Sequence, residues 1–221
     1  MPSLHSQIDT AALPSLAAED LACRRGNRVL FRGLNFSLGG GRALWLRGRN
    51  GSGKTSLLRL AAGLSVPEAG QITWAGVPVR RHTGYARRRV YVGHANALKD
   101  DLSASESLRF MATMHGRDAD AAAVQGALEL VGMGSRQDAL VRTLSQGQRR
   151  RASLARLALE REASLWILDE PYDALDSDGV ALVDALLCAH LARGGSLLLT
   201  SHQPPGDAAP PMAELDLGAF A

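Results

Sequence analysis

Apolar residues fall along this chain in three kinds of run, and each kind predicts a different element. Leu165-Trp166-Ile167-Leu168 and Leu197 to Leu199 are apolar at every position, the pattern of short strands buried on both faces in a parallel sheet. Ala43-Leu44-Trp45-Leu46, flanked by Arg42 and Arg47, predicts another strand. Two mixed segments, about Leu16 to Arg24 and Arg28 to Leu38, predict hairpin-like strands before the turn at Gly39-Gly40-Gly41. Apolar positions recur at helical spacing over Thr55 to Leu64 and over about Ser103 to Leu144, the latter with breaks at Gly116 and Gly132 to Gly134. They recur again over Arg149 to Glu160, through Ala152, Leu154, Leu157 and Leu159. That last helix, about 12 residues and roughly 18 Å long, is long enough to cross back over a sheet before the Leu165 strand begins. Met212 to Phe220 can add a final strand, and Met1 to Pro14 is polar and unpatterned, a flexible lead-in.

With 221 residues and 46% hydrophobic content, the chain can bury one substantial core. No run of 18 apolar residues predicts a bilayer span, and the N-terminus lacks the basic, apolar and small-residue succession of a secretory signal, so a cytoplasmic location is expected. Cys23 and Cys188 are far apart and suggest neither a disulfide framework nor a zinc site. The net charge of +3 is too mild to argue for a nucleic-acid partner. Inside the basic count, however, all residues but Lys54 and Lys99 are arginine, so a lysine at a particular place is informative.

Lys54 lies in Gly48-Arg49-Asn50-Gly51-Ser52-Gly53-Lys54-Thr55-Ser56, between a predicted strand and a predicted helix. The spacing is that of a phosphate loop. Glycines let backbone N–H groups turn inward onto phosphate oxygens, the Lys54 ammonium reaches the β and γ phosphates as a point charge, and Thr55 offers a hydroxyl to Mg²⁺. Asp169 and Glu170 end the Leu165 strand at the edge where ligands bind in α/β sheets. Asp169 is placed to hold Mg²⁺, and Glu170 to polarise an attacking water. Leu144-Ser145-Gln146-Gly147-Gln148 opens the helix that leads into this strand. By itself it reads either as a polar helix cap or as a second anion site.

Taken together, these motifs make the chain resemble the nucleotide-binding subunit of ATP-binding cassette (ABC) transporters, from about Leu21 to His202. The resemblance implies an α/β P-loop NTPase fold of the ABC ATPase type: a parallel core sheet, an antiparallel β-subdomain and an inserted helical lobe at about 95–160. A single nucleotide-binding domain at 16–221 would follow a lead-in at 1–15. It implies ATP and Mg²⁺ as ligands, and two copies stacked head to tail, with Leu144 to Gln148 of one copy closing the ATP site of the other. Asp176 would communicate across that dimer, and His202 would contact the γ phosphate. Two positions depart from the family pattern. Where an aromatic stacks on adenine this chain has Arg24-Arg25-Gly26, so either Arg25 lays its guanidinium on the base or the base is held weakly. Where a glutamine contacts Mg²⁺ and water, the chain has His94.

His94, the small size, Trp166 to Pro171, and Ser201-His202-Gln203-Pro204 resemble the branch of the family that serves cytochrome c maturation. This implies an ATPase at the cytoplasmic face of a bacterial inner membrane, working with integral membrane subunits in haem export or release of a haem chaperone. No direct haem binding is expected: His82, His115, His190 and the cysteines form no Cys-x-x-Cys-His spacing. Nucleic acid is not an expected partner either, although Arg87-Arg88-Arg89 and Arg149-Arg150-Arg151 are basic clusters. Another small exporter, or a soluble cassette acting on nucleic acid or ribosomes, are the alternatives. A small-molecule kinase would leave Ser145 to Gln148 unexplained.

Overall fold

The computed structural model describes residues 15–117 and 119–220; apart from Ser15, the expected lead-in at 1–15 lies outside them. In chain order the elements are β1 (Leu16–Arg25), β2 (Arg28–Leu38), β3 (Ala43–Arg47), α1 (Lys54–Ala61), β4 (Ala69–Trp74), β5 (Val77–Pro78), α2 (Tyr85–Arg88), β6 (Arg89–Val92), α3 (Ala104–Met114), α4 (Ala121–Leu130), α5 (Gln146–Leu154), β7 (Leu165–Asp169), α6 (Ser177–Ala192), β8 (Ser196–Thr200) and β9 (Ala213–Asp216). Two sheets form, an antiparallel one ordered β2-β1-β4-β5 and a parallel one ordered β6-β7-β8-β3-β9.

The parallel sheet explains the unbroken apolar runs. Leu165, Ile167 and Leu198 face α1 and the antiparallel sheet, whereas Trp166, Leu168, Leu197 and Leu199 face α6 with Val183 and Leu187. Both faces are dry, so alternation disappears from the sequence. In the antiparallel sheet β1 slips its register around Asp20, and Gly70 fits beneath this bulge because it has no Cβ: one built there would stand 2.3 Å from the Asp20 carbonyl oxygen. A separate core, with Leu108, Val124 and Leu128 fully buried, holds α3 and α4 against the end of α5 and the turn that follows it, through Ala152 and Ala155.

Two helices differ from expectation. The first, expected to reach Leu64, ends at Ala61 because Gly63 turns left-handed (φ 69°) and the Leu64 and Gly63 N–H groups bond back to the Arg59 and Leu60 carbonyls. The helix expected over Arg149 to Glu160 is α5 followed by a tighter 3₁₀ segment at Ala155–Leu159. As an α-helix it is only about 14 Å long. The tightening lets Glu160 leave through an i to i−3 bond to Leu157 while Leu157 stays buried. The final strand is present as β9, beside β3.

Candidate functional site

β3 ends at Arg47 and α1 begins at Lys54, and because α1 packs back against the parallel sheet the chain between them must turn sharply. Gly48, Gly51 and Gly53 do this with φ of 140°, 79° and 105°, and a Cβ on Gly53 would come within 3.1 Å of Leu30 and Phe31. The N-terminus of α1 has neither a side-chain cap nor an acidic first-turn residue, leaving its N–H groups for an anion. Lys54 is buried, and its Nζ donates to the Gly48 carbonyl at 2.8 Å, which draws the side chain back over the loop.

Because β8 lies between β7 and β3, the C-terminal end of β8 stands between the phosphate loop and Asp169. There the Thr200 hydroxyl donates to Asp169 Oδ1 at 2.8 Å and accepts the Glu170 N–H at 3.0 Å. The second Asp169 oxygen, Oδ2, is buried without a hydrogen-bond partner. An ionised carboxylate seldom keeps an orphaned buried oxygen, and a cation beside it is the natural remedy, so the site fits Mg²⁺ held by Asp169 and Thr55. Glu170 has a left-handed backbone (φ 52°), which turns its side chain away from the strand direction. Its Oε2 accepts the His202 N–H at 2.7 Å, and His202 Nε2 lies 3.5 Å from Oε1.

A cleft of about 460 Å³ gathers these groups. Arg49, Asn50, Gly51, Gly53, Lys54, Thr55 and Ser56 line it from the loop, and Arg25, His94, Asp169, Glu170 and His202 from elsewhere. Gly48 and Ser52, of the same loop, are not among the cleft's lining residues. No aromatic residue is among the lining residues, and Arg28 and Leu30, which sequence reasoning missed, stand beside Arg25. Leu144, Ser145, Gln146, Gly147 and Gln148 are not in this cleft. Ser145 caps α5 in a reciprocal box with Gln148, so the plain helix-cap function is present in this structure. Leu144 is buried in the helical core, Gln146 is exposed, and Gly147 lies so close to the Ala174 carbonyl oxygen that a Cβ would stand 2.6 Å from it. Asp176 is also outside the cleft; it caps α6 by accepting the Gly179 N–H at 2.9 Å, and lies 4.0 Å from Arg151.

The basic run Arg149-Arg150-Arg151 dissolves into three separate duties. Arg149 pairs with Asp100 at 3.1 Å, Arg151 faces Asp176, and Arg150 is buried between α5 and the end of β7. Burial pushes the Arg150 guanidinium below the usual arginine range, opposed by the charges of Asp173, Asp169 and Glu170. Its burial was foreshadowed by helical phase, since Arg150 shares a face with the buried Ser153, Leu154 and Leu157.

A loop of inward-turned glycines, a capped signature helix outside the cleft and a carboxylate pair at the sheet edge together define an ABC-type nucleotide-binding unit. The family model described as ABC transporter matches residues 31–173, and the chain belongs to that family. More particularly, it is 50% identical over 188 residues to the "Cytochrome c biogenesis ATP-binding export protein CcmA" of Methylococcus capsulatus, covering 85% of this chain and 90% of that protein. It is 47% identical to the protein of the same name from Aromatoleum aromaticum, covering 94% and 97%. Among solved structures, an ABC transporter ATP-binding protein of Pyrococcus furiosus superposes with a TM-score of 0.79 at 23% identity, over 94% of this chain and 99% of that one, which shows the shared fold. The α/β architecture and the family expected from the motifs are both borne out.

Proposed function

We propose that this chain is the ATP-hydrolysing subunit of a membrane ABC complex that serves cytochrome c maturation, in haem export or the release of a haem chaperone. The observation that carries it is the division of the site: phosphate loop, Asp169, Glu170 and His202 share one cleft, and Ser145 to Gln148 lie outside it. Its support from relatives is the shared name of proteins matching nearly the whole chain.

Two copies of residues 16–221, each one nucleotide-binding domain, stack so that the signature of one copy closes the cleft of the other. The loop N–H groups and Lys54 bind the phosphates, and Thr55 and Asp169 hold Mg²⁺, which when bound neutralises phosphate charge. Glu170 accepts a proton from the attacking water, and its contact with His202 keeps the carboxylate facing the γ-phosphate position. His94 serves as a hydrogen-bonding relay where relatives of other branches use glutamine, Arg25 packs against the base, and Asp176 carries a signal between copies. Binding of ATP favours the closed pair, and hydrolysis removes that preference. The chain attaches to the cytoplasmic face of the inner membrane through integral subunits; among its described residues no helix is long and apolar enough to cross a membrane.

The test is the Glu170→Gln protein. It should bind ATP, stall hydrolysis by about 100-fold or more and form a stable pair, and bring down cytochrome c maturation membrane proteins, with a haem spectrum on the partner. Turnover at the parental rate removes Glu170 as the base, and recovery of an unrelated permease replaces the cytochrome c role with that of another exporter. Unchanged turnover in His94→Gln with partner coupling intact leaves His94 without a special role.

A further inference from the structure

Every N–H of the Arg150 guanidinium has an acceptor, and none of the acceptors is a carboxylate oxygen. Nε donates to the Pro171 carbonyl at 3.4 Å; Nη1 donates to the Gly93 carbonyl at 3.1 Å and to Asn96 Oδ1 at 3.2 Å; Nη2 donates to the carbonyls of Asp169 at 2.8 Å and Glu170 at 2.6 Å. The residue is 3% exposed. Although Asp173, Asp169 and Glu170 lie near enough to act on its charge, a cation whose hydrogen bonds all go to neutral acceptors is a poor way merely to join elements, because a well-packed apolar side chain does so without desolvating a charge. What the guanidinium adds is planar geometry with five fixed directions.

Those directions end on the backbone around the reacting groups. The strained Glu170 residue is gripped from both sides, its carbonyl by Arg150 and its N–H by Thr200. Gly93 and Asn96 bracket His94, which lines the same cleft. Arg150 itself stands on α5, whose first turn is the signature, packed against Ala174 beyond Glu170.

We propose that Arg150 is a positioning residue that transmits the placement of the signature turn to Glu170 and His94 of its own chain. The role rests on Glu170 acting as the base and on the paired arrangement proposed above. It follows that α5 links the two ATP sites of a pair. The signature reports on nucleotide held by the second copy, and Arg150 sets the carboxylate that serves the first.

The experiment is ATP binding and single-turnover hydrolysis of the full-length chain carrying Arg150→Lys, alone and in the Glu170→Gln background. Lysine keeps the charge but cannot span the five acceptors. ATP affinity should stay within about threefold while the hydrolysis rate at saturating ATP falls about 10- to 100-fold, the loss expected for a displacement on the order of 1 Å. In the Glu170→Gln background the same change should cost clearly less than in the parental chain, because the part that runs through the Glu170 carboxylate is already lost and only the part through His94 remains. A rate within about threefold of parental, a loss of ATP binding in step with the rate, or an undiminished loss in the Glu170→Gln background each overturns the proposal. If Arg150→Lys does not fold, Asn96→Ala leaves Arg150 and α5 in place; it should slow hydrolysis about 3- to 10-fold at unchanged affinity, and an unchanged rate overturns the proposal. Parental turnover in Glu170→Gln alone overturns the base assignment instead, which Arg150→Lys by itself does not test.

Discussion

Thr200→Val removes a single hydroxyl from the centre of the site with almost no change in shape. Thr200 is fully buried, and its oxygen serves two groups, donating to Asp169 Oδ1 at 2.8 Å and accepting from the Glu170 N–H at 3.0 Å. Asp169 is 2% exposed and its Oδ2 already lacks a partner, so valine leaves the whole carboxylate, and a neighbouring N–H, without a bond. Each unsatisfied buried group costs about 1–3 kcal/mol, more when charged, which places the loss at about 3–5 kcal/mol. Against a total stability of about 5–15 kcal/mol this is large. With a urea dependence of about 3 kcal/mol/M, the unfolding midpoint measured without nucleotide or metal should fall by about 1–1.7 M. Thr200→Ser keeps the hydroxyl and loses one methyl, so it should cost only about 1 kcal/mol. Valine and serine variants unfolding within about 0.5 kcal/mol of each other would refute the bridge as a source of stability.

Three further outcomes follow from particular contacts. Gly147→Ala should destabilise by about 1–3 kcal/mol, because the new Cβ meets the Ala174 carbonyl oxygen at 2.6 Å; helix propensity alone would stabilise it by about 1 kcal/mol, so the sign of the melting-temperature change decides between them. His190 stacks on Trp166 with ring centroids 3.7 Å apart, and burial pushes its pKa down to about 4. An unfolded imidazole titrates near 6.5, so the unfolded chain binds the extra proton between these values. Stability should therefore be full above about pH 6.5 and fall by on the order of 3 kcal/mol as the pH drops towards about 4. Urea unfolding across this range should show that slope and His190→Gln should flatten it; an equal slope in both proteins rules the imidazole out as its source. Lys54→Ala should abolish ATP binding in calorimetric titration at concentrations that saturate the parental chain, and retained affinity would remove Lys54 from phosphate recognition.

The readable parts of the site were those whose chemistry is written in neighbouring residues. Gly48 to Thr55 must be contiguous because a loop wraps its backbone around one anion, and Asp169 and Glu170 must end a strand to stand at the sheet edge. The less readable parts act through space. Arg28 lines the cleft beside Arg25 across a hairpin, and Thr200 reaches Asp169 only because β8 pairs with β7. Arg150 carried a partial signal, its place on the apolar face of α5, but in the sequence it stood only as one member of a basic cluster. The end of α5 could not be read from periodicity, since a 3₁₀ segment keeps Leu157 buried with nearly the same spacing.

Alone, the sequence determined the class of fold and the phosphate chemistry: unbroken apolar strands demand a sheet covered on both faces, and the glycine, lysine and hydroxyl spacing demands a phosphate between a strand and a helix. Tertiary structure alone decided how Asp169 and Glu170 are held. Hydrogen bonds from Thr200 and Arg150 join residues far apart in the chain, and such bonds depend on strand order and helix packing rather than on any local pattern. It also decided that Ser145 to Gln148 stand outside their own chain's cleft, with Gly147 packed against the Ala174 carbonyl beyond Glu170.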